Sequence, residues 1–419
     1  MYTGKYTGYN RIALIAPFGL RVRGTTRARV LPLARALAAR GRTVAVFIPP
    51  YDSPEDSGRH WLEDGVEVAN LRLPGAGQTA GPARHLQLAW RLFRAARAWR
   101  PDVVHVFKPK GPSGLAGTAF WTARALARGG NYAMRRKRGL APAVIVDADD
   151  WEGPGGWNDD PRAGYPSAMR AFFAWQERFG LAHADAWTVT SACLRERAVG
   201  LGAAAERVFI LPNGLQDETS RPAAASVPVA PARGTRGVLL YTRFAGVRAC
   251  HVTAIWQEVR ALVPEAELTV VGRGLAGEER ELAGLPGIVV VGWAEPCELP
   301  GIVRRAALAI VPWDDTPANR ARHSVKVLEM MAAGLPVVAY AVGELPSTLD
   351  GAGLLVPPGD APGFARAVGS LLADPACAAR LGAMARERVA SRYSWDRLSA
   401  IALQAYAAAA RRGQAAQTM

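Results

Sequence analysis

Residues 11–48 read RIALIAPFGLRVRGTTRARVLPLARALAARGRTVAVFI, and this stretch decides the fold class. It opens with an apolar run of strand length, residues 11–17, and closes with a second one at residues 43–48. Between them, apolar residues recur at helical spacing: Val30, Leu33, Ala34 and Leu37. Gly41 ends the helix predicted for residues 27–40. The stretch therefore predicts a strand–helix–strand unit of a parallel sheet with a right-handed crossover.

The same alternation of strand and helix patterns continues along the chain in two series. At 419 residues the chain exceeds the size at which one core usually keeps growing. We predict an α/β protein of two Rossmann-like, doubly wound domains that face each other across a cleft. The predicted segments are an N-terminal domain (1–215), a Pro- and Ala-rich linker (216–236), a C-terminal domain (237–392) and a final helix with tail (393–419). The final helix is expected to pack back on the N-terminal domain.

Composition narrows the class of protein. Hydrophobic residues make up 50% and charged residues 21%, which is typical of a globular chain. The net charge of +15 suits phosphorylated ligands or an anionic surface, although coding bias explains such a charge equally well. Nucleic-acid recognition motifs are absent. The four cysteines lack the spacing of a metal site or a redox pair. No apolar run is long enough to span a bilayer, and no signal peptide is evident. These features predict a cytoplasmic protein without a bound metal or cofactor.

The strongest local motif is HSVKVLEMMAAGLPVVA, residues 323–339. It follows an apolar strand, and the helix predicted from Ser324 would offer backbone N–H groups and a positive dipole end to a diphosphate. Lys326 and Glu329 share one face of that helix. Lys326 would neutralise phosphate and Glu329 would accept ribose hydroxyls. The alternative is an ordinary ion pair on a helix surface.

A basic pair follows the first strand of the C-terminal half, in the segment YTRFAGVR that ends at residue 248. Arg243 and Arg248 lie at the carboxyl end of a predicted strand, where ligands of doubly wound sheets bind. Arginine there suits bidentate contact with phosphate. A solvated surface pair is the alternative.

These motifs resemble those of the group 1, family 4-like retaining glycosyltransferases, whose fold is called GT-B. The likeness rests on LEMMAAGLPV at residues 328–337, on the spacing of Arg243 and Arg248, and on VVGRG, VVGW and LPNG elsewhere. The resemblance implies hexosyl transfer from a nucleotide-sugar, which is a substrate and not a cofactor, in bacterial-type polysaccharide or glycolipid synthesis. It also implies that Arg243, Arg248 and Lys326 hold the donor diphosphate. Glu329 would hold the ribose, and Trp293 would lie against the base.

Two positions depart from the family pattern. The first Glu of the family's pair of glutamates falls at Ala321, and a sugar-contacting His of some relatives falls at Phe107. Either other groups perform the chemistry, or transfer is lost and the chain is a sugar-nucleotide-binding or scaffold protein. Preorganised electrostatics makes the loss of these groups less serious for catalysis.

Replacement groups follow two strands of the N-terminal half. The segment VIVDADDWE, residues 144–152, places four carboxylates at a predicted strand end, and Lys108 ends a neighbouring strand. Asp149 or Asp150 would orient or deprotonate the acceptor hydroxyl, and Lys108 would contact donor phosphate, an acidic acceptor or Asp149. The loop at Gly24 resembles the family loop near the donor phosphate. Structural ion pairing and helix capping are the alternatives for the carboxylates.

Two further possibilities concern metal and membrane. An Asp-x-Asp after a strand holds a divalent cation in single-domain GT-A enzymes, but a second Rossmann-like half would then have no role. Residues 84–100 form a basic amphipathic helix which, with RRKR at 135–138, would rest on the inner face of an anionic membrane. A lipid-linked acceptor would fit that placement. The alternative is a core-packed helix with a solvated arginine face.

Overall fold

The computed structural model describes residues 9–20, 24–73, 82–126, 142–215 and 236–415. The linker predicted at 216–236 therefore lies outside the described residues, apart from Arg236. So do the basic run at 135–138 and the arginines at 21 and 23. By internal packing the chain divides into two units, residues 1–214 with 395–419, and residues 215–394.

Unit 1 contains eight strands: β1 (Arg11–Ile15), β2 (Thr43–Ile48), β3 (His60–Glu63), β4 (Val66–Asn70), β5 (Val103–Phe107), β6 (Ala143–Ala148), β7 (Ala186–Val189) and β8 (Val208–Ile210). Their order in the sheet is β3-β4-β2-β1-β5-β6-β7-β8. All neighbours pair in parallel except β3, which pairs antiparallel with β4. Strand β3 was not predicted, and it adds an antiparallel edge to the otherwise parallel sheet. The short run HWLE alternates exposed with half-buried residues, and its pattern is weak.

The helices of unit 1 are α1 (Leu31–Ala39), α2 (Pro82–Ala98), α3 (Gly111–Leu126), α4 (Ser167–His183), α5 (Ala192–Gly200) and, from the end of the chain, α13 (Trp395–Ala415). The turn before α1, Thr26–Val30, is a π-helix, where a single α-helix over 27–40 was expected. Helix α13 contacts α1 and strands β6, β7 and β8. Its buried residues Trp395, Ala402 and Tyr406 belong to the core on that face of the sheet. Phe93 and Phe120 of α2 and α3 belong to the core on the other face.

Unit 2 contains six strands: β9 (Gly237–Tyr241), β10 (Glu267–Val271), β11 (Ile288–Gly292), β12 (Leu308–Val311), β13 (Val337–Tyr340) and β14 (Gly353–Val356). The sheet order is β11-β10-β9-β12-β13-β14, with all pairs parallel. Its helices are α6 (Ala249–Leu262), α7 (Leu299–Arg304), α8 (Pro317–Ala321), α9 (Val325–Ala332), α10 (Leu345–Leu349), α11 (Ala361–Ala373) and α12 (Pro375–Arg392). The short helices α8 and α10 were not predicted. The central strands are apolar throughout, as expected for strands covered on both faces.

Candidate functional site

The strand order defines one switch point in each unit. In unit 2 the chain moves outward from β9 through β10 to β11 and then returns to β12 on the other side of β9. In unit 1 it moves outward from β1 and returns to β5. Ligands of doubly wound sheets bind beyond the carboxyl ends of the strands at such points. The loops after β9 and β12, and those after β1 and β5, are therefore the places to examine.

The loop after β9 is a tight turn that carries both predicted arginines. Phe244 has a φ of 56° and is fully buried, and Gly246 has a φ of 69°. A Cβ on Gly246 would lie 2.2 Å from Asn319 Oδ1, so this position accepts only glycine. The buried Phe244 anchors the turn, Arg243 is exposed beside it, and Arg248 stands directly before α6.

Arg248 forms an ion pair across the switch point. Its Nε donates to Asp314 Oδ2 at 3.0 Å, and Asp314 follows β12. His251 Nδ1 lies 2.6 Å from the other oxygen of Asp314. The hydrogen bond to Asp314 raises the pKa of Arg248, while the Arg248 side chain stays 59% exposed. The arginine is thus oriented by Asp314 and still accessible from solvent.

Helix α9 carries the predicted lysine and glutamate, and it lies beside β9. Lys326 Nζ is 5.4 Å from the ring centroid of Tyr241, the last residue of β9. Glu329 is half-buried one turn further along. Ser324 has the non-helical backbone of a cap residue, but its hydroxyl makes no capping hydrogen bond. Lys326 and the turn that holds Arg243 therefore meet at one strand end.

Trp293 stands apart from these residues. It follows β11, the outermost strand on its side of the sheet, and its side chain is 41% exposed. Its indole N–H donates to Glu295 Oε1 at 2.8 Å. Ala321, at the position of the family's first glutamate, is completely buried at the end of α8. The side chain at position 321 is thus completely enclosed by protein in this chain.

In unit 1 the loop after β5 carries Lys108, which has the left-handed backbone φ of 52°. Such strain in a residue other than glycine is common at functional sites. Lys108 Nζ contacts three carboxylates: Asp149 Oδ1 at 3.1 Å, Glu152 Oε1 at 3.2 Å and Asp150. Lys110 Nζ contacts Glu152 Oε2 at 3.1 Å. The predicted residues Lys108, Asp149 and Asp150 therefore form one cluster, which we call the carboxylate cluster together with Lys110 and Glu152.

The carboxylate cluster has perturbed acidities. Burial, with the nearby charges of Asp150 and Asp147, raises the pKa of Asp149 to about 7, although Lys108 opposes this shift. Burial would also raise the pKa of Glu152, but Lys108 and Lys110 together lower it to about 2. Three carboxylates face two ammonium groups, so one carboxyl lacks a counter-charge, and Asp149 is the one that holds a proton near neutral pH.

Asp147, the remaining carboxylate of the segment 144–152, has a different role. Asp147 was expected among the replacement groups at the strand end, but it is completely buried, so it is not available to a ligand. Arg29 binds it with Nε at 2.8 Å and Nη2 at 2.6 Å. Thr188 donates to Asp147 Oδ2 at 2.5 Å and lies 3.0 Å from His105 Nε2, whose Nδ1 is 2.9 Å from the hydroxyl of Tyr406.

This buried network was not predicted from the sequence, because its members are far apart in the chain. Arg29 also donates to the carbonyl oxygens of Leu211 and Pro212 and to Asn213 Oδ1. The one available signal was an arginine inside the apolar pattern of the first helix. Burial lowers the pKa of His105 to about 4, so the imidazole is neutral within the network.

The loop after β1 reaches the carboxylate cluster. The Thr25 hydroxyl donates to Asp149 Oδ2 at 3.4 Å, and the carbonyl oxygen of the half-buried Gly24 accepts from the N–H of Ala28 at 2.9 Å. Phe107, at the position of the relatives' second histidine, is completely buried in the core. Across the described ranges, no three His, Cys, Asp or Glu side chains are arranged to hold a metal ion.

Comparison with known proteins matches each half of the chain to a glycosyltransferase family model. Residues 24–214 match the model described as "Glycosyl transferase 4-like domain", and residues 247–374 match "Glycosyl transferases group 1". The chain belongs to the group 1 glycosyltransferases. It is therefore a transferase, as the motifs at residues 243–248 and 323–339 predicted.

Two relatives and one solved structure illustrate the range of this family. The chain is 27% identical to a glycogen synthase of Mycobacterium tuberculosis over 90% of each chain. It is also 27% identical to a phosphatidyl-myo-inositol mannosyltransferase of Mycolicibacterium smegmatis, over 94% of this chain and 93% of that one. The catalytic domain of starch synthase IV from Arabidopsis thaliana, bound to ADP and acarbose, superposes with a TM-score of 0.68. That match has 14% identity and covers 97% of this chain and 100% of that one.

These comparisons assign the GT-B fold to this group 1 glycosyltransferase. The predicted fold class is confirmed, and the single-domain GT-A alternative is excluded. The part of the chain that the structure describes has no helix long and apolar enough to cross a membrane.

Proposed function

We propose that the chain transfers a hexose from a nucleotide-sugar to an acceptor hydroxyl, with retention of the anomeric configuration. One observation carries the proposal: Lys326 Nζ lies 5.4 Å from the Tyr241 ring at the end of β9, beside the arginine-bearing turn. Cations from two separate elements thus converge at the switch point of unit 2. The starch synthase structure with the same fold is described with ADP bound, which supports nucleotide binding by this chain.

Each donor-binding residue has a proposed role. Arg243, Arg248 and Lys326 neutralise the diphosphate, and the backbone at Ser324, ahead of α9, adds the positive end of a helix. Glu329 accepts the ribose hydroxyls. Trp293 borders the base and the Gly24 loop approaches the donor phosphate, as the family resemblance implies. No cofactor or metal takes part in this scheme.

The carboxylate cluster supplies the proposed acceptor chemistry. Asp149 is 9% exposed, its pKa of about 7 lies near the operating pH, and the Thr25 hydroxyl is within 3.4 Å. These properties suit a group that accepts a proton from an acceptor hydroxyl. Lys108 holds Asp149 in place through their ion pair, and it opposes the rise in the pKa of Asp149 to which the charge of Asp150 contributes.

The main alternative is a protein that binds sugar nucleotides without transfer. The buried Ala321 motivates it, because the family's first glutamate has no counterpart at that position. The perturbed Asp149 favours transfer, because a binding protein has no need for a carboxyl that titrates near pH 7.

Donor binding is tested by titrating UDP-, GDP-, ADP- and dTDP-sugars into the protein by calorimetry. We expect sugars of one nucleotide class to bind. Glu329→Ala should weaken the affinity for that nucleotide by about tenfold or more, since a hydrogen bond to a charged group contributes about 1.5–3 kcal/mol. Glu387→Ala, on an exposed face of α12, is the matched control. Absence of binding for every nucleotide, or unchanged affinity of Glu329→Ala, would contradict this site.

Turnover separates the transferase from the binding protein. With the bound nucleotide-sugar, slow hydrolysis or transfer to an acceptor is expected, and Asp149→Asn is expected to abolish transfer while it leaves nucleotide affinity intact. Binding without any turnover over a panel of acceptors would favour the alternative.

We also propose that helix α2 rests on an anionic membrane surface, as a lipid-linked acceptor would require. Leu88 and Phe93 face the core, whereas Leu86 and Trp90 are more than half exposed on the same basic helix. Sedimentation with anionic vesicles, compared with neutral ones, tests the proposal. Leu86→Ser with Trp90→Ser should lower vesicle binding, and unchanged binding would contradict it.

A further inference from the structure

Aromatic rings border the carboxylate cluster of unit 1. Lys110 Nζ lies 4.9 Å from the ring centroid of Tyr165 and 4.6 Å from that of Phe173. The indole N–H of Trp157 donates to Asp150 Oδ1 at 2.9 Å. The Tyr165 ring is 37% exposed, and Trp157 is half-buried. The partly exposed rings of Tyr165 and Trp157 therefore contact two members of the carboxylate cluster, Lys110 and Asp150.

The loop that carries these rings is held by close packing. A Cβ on Gly156 would lie 1.9 Å from the carbonyl oxygen of Trp151, and one on Gly153 would lie 2.1 Å from Arg197 Nη2. Asn158 Nδ2 donates to Glu152 Oε2 at 2.8 Å. The two glycines allow the backbone to fold tightly against the cluster, so the rings are positioned before any ligand binds.

The two lysines are not available for an anionic ligand. Lys108 is shared among Asp149, Asp150 and Glu152, and Lys110 is bound to Glu152. The cluster carries a formal charge of −1 with all its groups ionised, from two lysines and three carboxylates, and zero with Asp149 protonated. It therefore has no surplus of positive charge.

Among the described residues, two neighbouring cationic groups are also engaged. Arg29 is paired with Asp147, and Arg197 with Glu177. The first turn of α3 has its N–H groups occupied at two places: Gly111 donates to Gln176 Oε1 at 2.8 Å, and Gly114 donates to the Lys110 carbonyl oxygen at 3.4 Å. Pro112, between them, has no N–H. This helix end thus offers little to a phosphate.

From this charge balance and the adjacent rings we infer that the acceptor moiety that receives the sugar is an uncharged polyol ring, such as an unmodified sugar or cyclitol. The inference rests on the proposed function, because it names the acceptor of that transfer. Carboxylates accept hydrogen bonds from hydroxyls, and aromatic rings pack against the C–H face of a ring. A phosphate or carboxylate on the same moiety would face buried carboxylates, and both lysines of the cluster are already bound to those carboxylates.

The inference is tested with the full-length wild-type protein and matched acceptor pairs. With the nucleotide-sugar that binds, transfer is measured to methyl α-D-glucoside and glucose 6-phosphate, to methyl α-D-mannoside and mannose 6-phosphate, and to myo-inositol and inositol 1-phosphate. We expect kcat/KM to favour the uncharged member by about tenfold or more, as one unscreened charge near the cluster would cause. Equal or better use of the phosphorylated members would overturn the inference.

Two variants sharpen the test. Glu152→Gln removes one negative charge and releases Lys110, so the ratio of kcat/KM between uncharged and phosphorylated acceptors should fall by about tenfold. An unchanged ratio in folded protein would count against the inference.

Tyr165→Ala, at an exposed ring, should raise KM for the uncharged acceptor several-fold, while Leu62→Ala, an exposed residue of β3, should not. Nucleotide affinity is measured in the same samples, so a faulty donor site is distinguished from a wrong acceptor class.

Discussion

At the scale of single residues, Asp149 is the group whose chemistry the environment changes most. Its pKa of about 7 results from burial and from the excess of carboxylates over lysines around it. If Asp149 accepts the acceptor's proton, kcat/KM should rise with pH and level off above about 7. A pH–rate profile of the wild-type protein checks this. A profile that is flat between pH 5 and 8 would contradict the role.

The same residue predicts an unusual pH dependence of stability. The folded-state pKa of Asp149 lies above its unfolded value, so the native state binds more protons between about pH 4 and 7. This contribution to stability is present at acidic pH and is lost as the pH rises through about 7. Asp149→Asn should therefore unfold at higher denaturant concentration than the wild type at pH 8, with a smaller gain at pH 5. Urea titrations at the two pH values measure the difference.

The buried ion pair of Arg29 and Asp147 should affect the stability of unit 1. Its side chain is 1% exposed and binds Asp147, which is fully buried. Arg29→Met should destabilise unit 1 by about 3–5 kcal/mol, because an uncompensated carboxylate remains in the interior. Arg29→Met combined with Asp147→Leu should recover much of that loss. Chemical denaturation of the three variants tests this, and equal instability of the single and double variants would contradict it.

At the scale of elements, the turn after β9 depends on a glycine. Gly246 has positive φ and no space for a Cβ, whereas Gly351 has a φ of 82° with nothing within 4 Å. Gly351→Ala should cost only the backbone strain, about 1 kcal/mol. Gly246→Ala should cost more and should also weaken nucleotide binding, because the turn carries Arg243 and Arg248. Equal effects of the two substitutions on stability and affinity would contradict the close packing against Asn319.

At the scale of the whole molecule, unit 1 is built from two distant parts of the chain. Helix α13 places Ala402 in the unit 1 core and leaves Gln404 exposed. Ala402→Asp should bury a charge and destabilise unit 1 by several kcal/mol, whereas Gln404→Asp should have little effect. Hydrogen exchange in β6 and β7 should accelerate in Ala402→Asp, with unit 2 unchanged. Uniform acceleration in both units would argue against two separate cores.

The sequence by itself determined the alternation of strands and helices, and with it the fold class, since apolar periodicity and glycine-bounded turns are local properties. It also determined that Lys326 and Glu329 share one face of a helix, because they lie one turn apart. Only the tertiary structure decided that Asp147 pairs with Arg29 and that Lys108 is shared by three carboxylates. The physical reason is distance along the chain: no local pattern records ion pairs and packing between segments that only folding brings together.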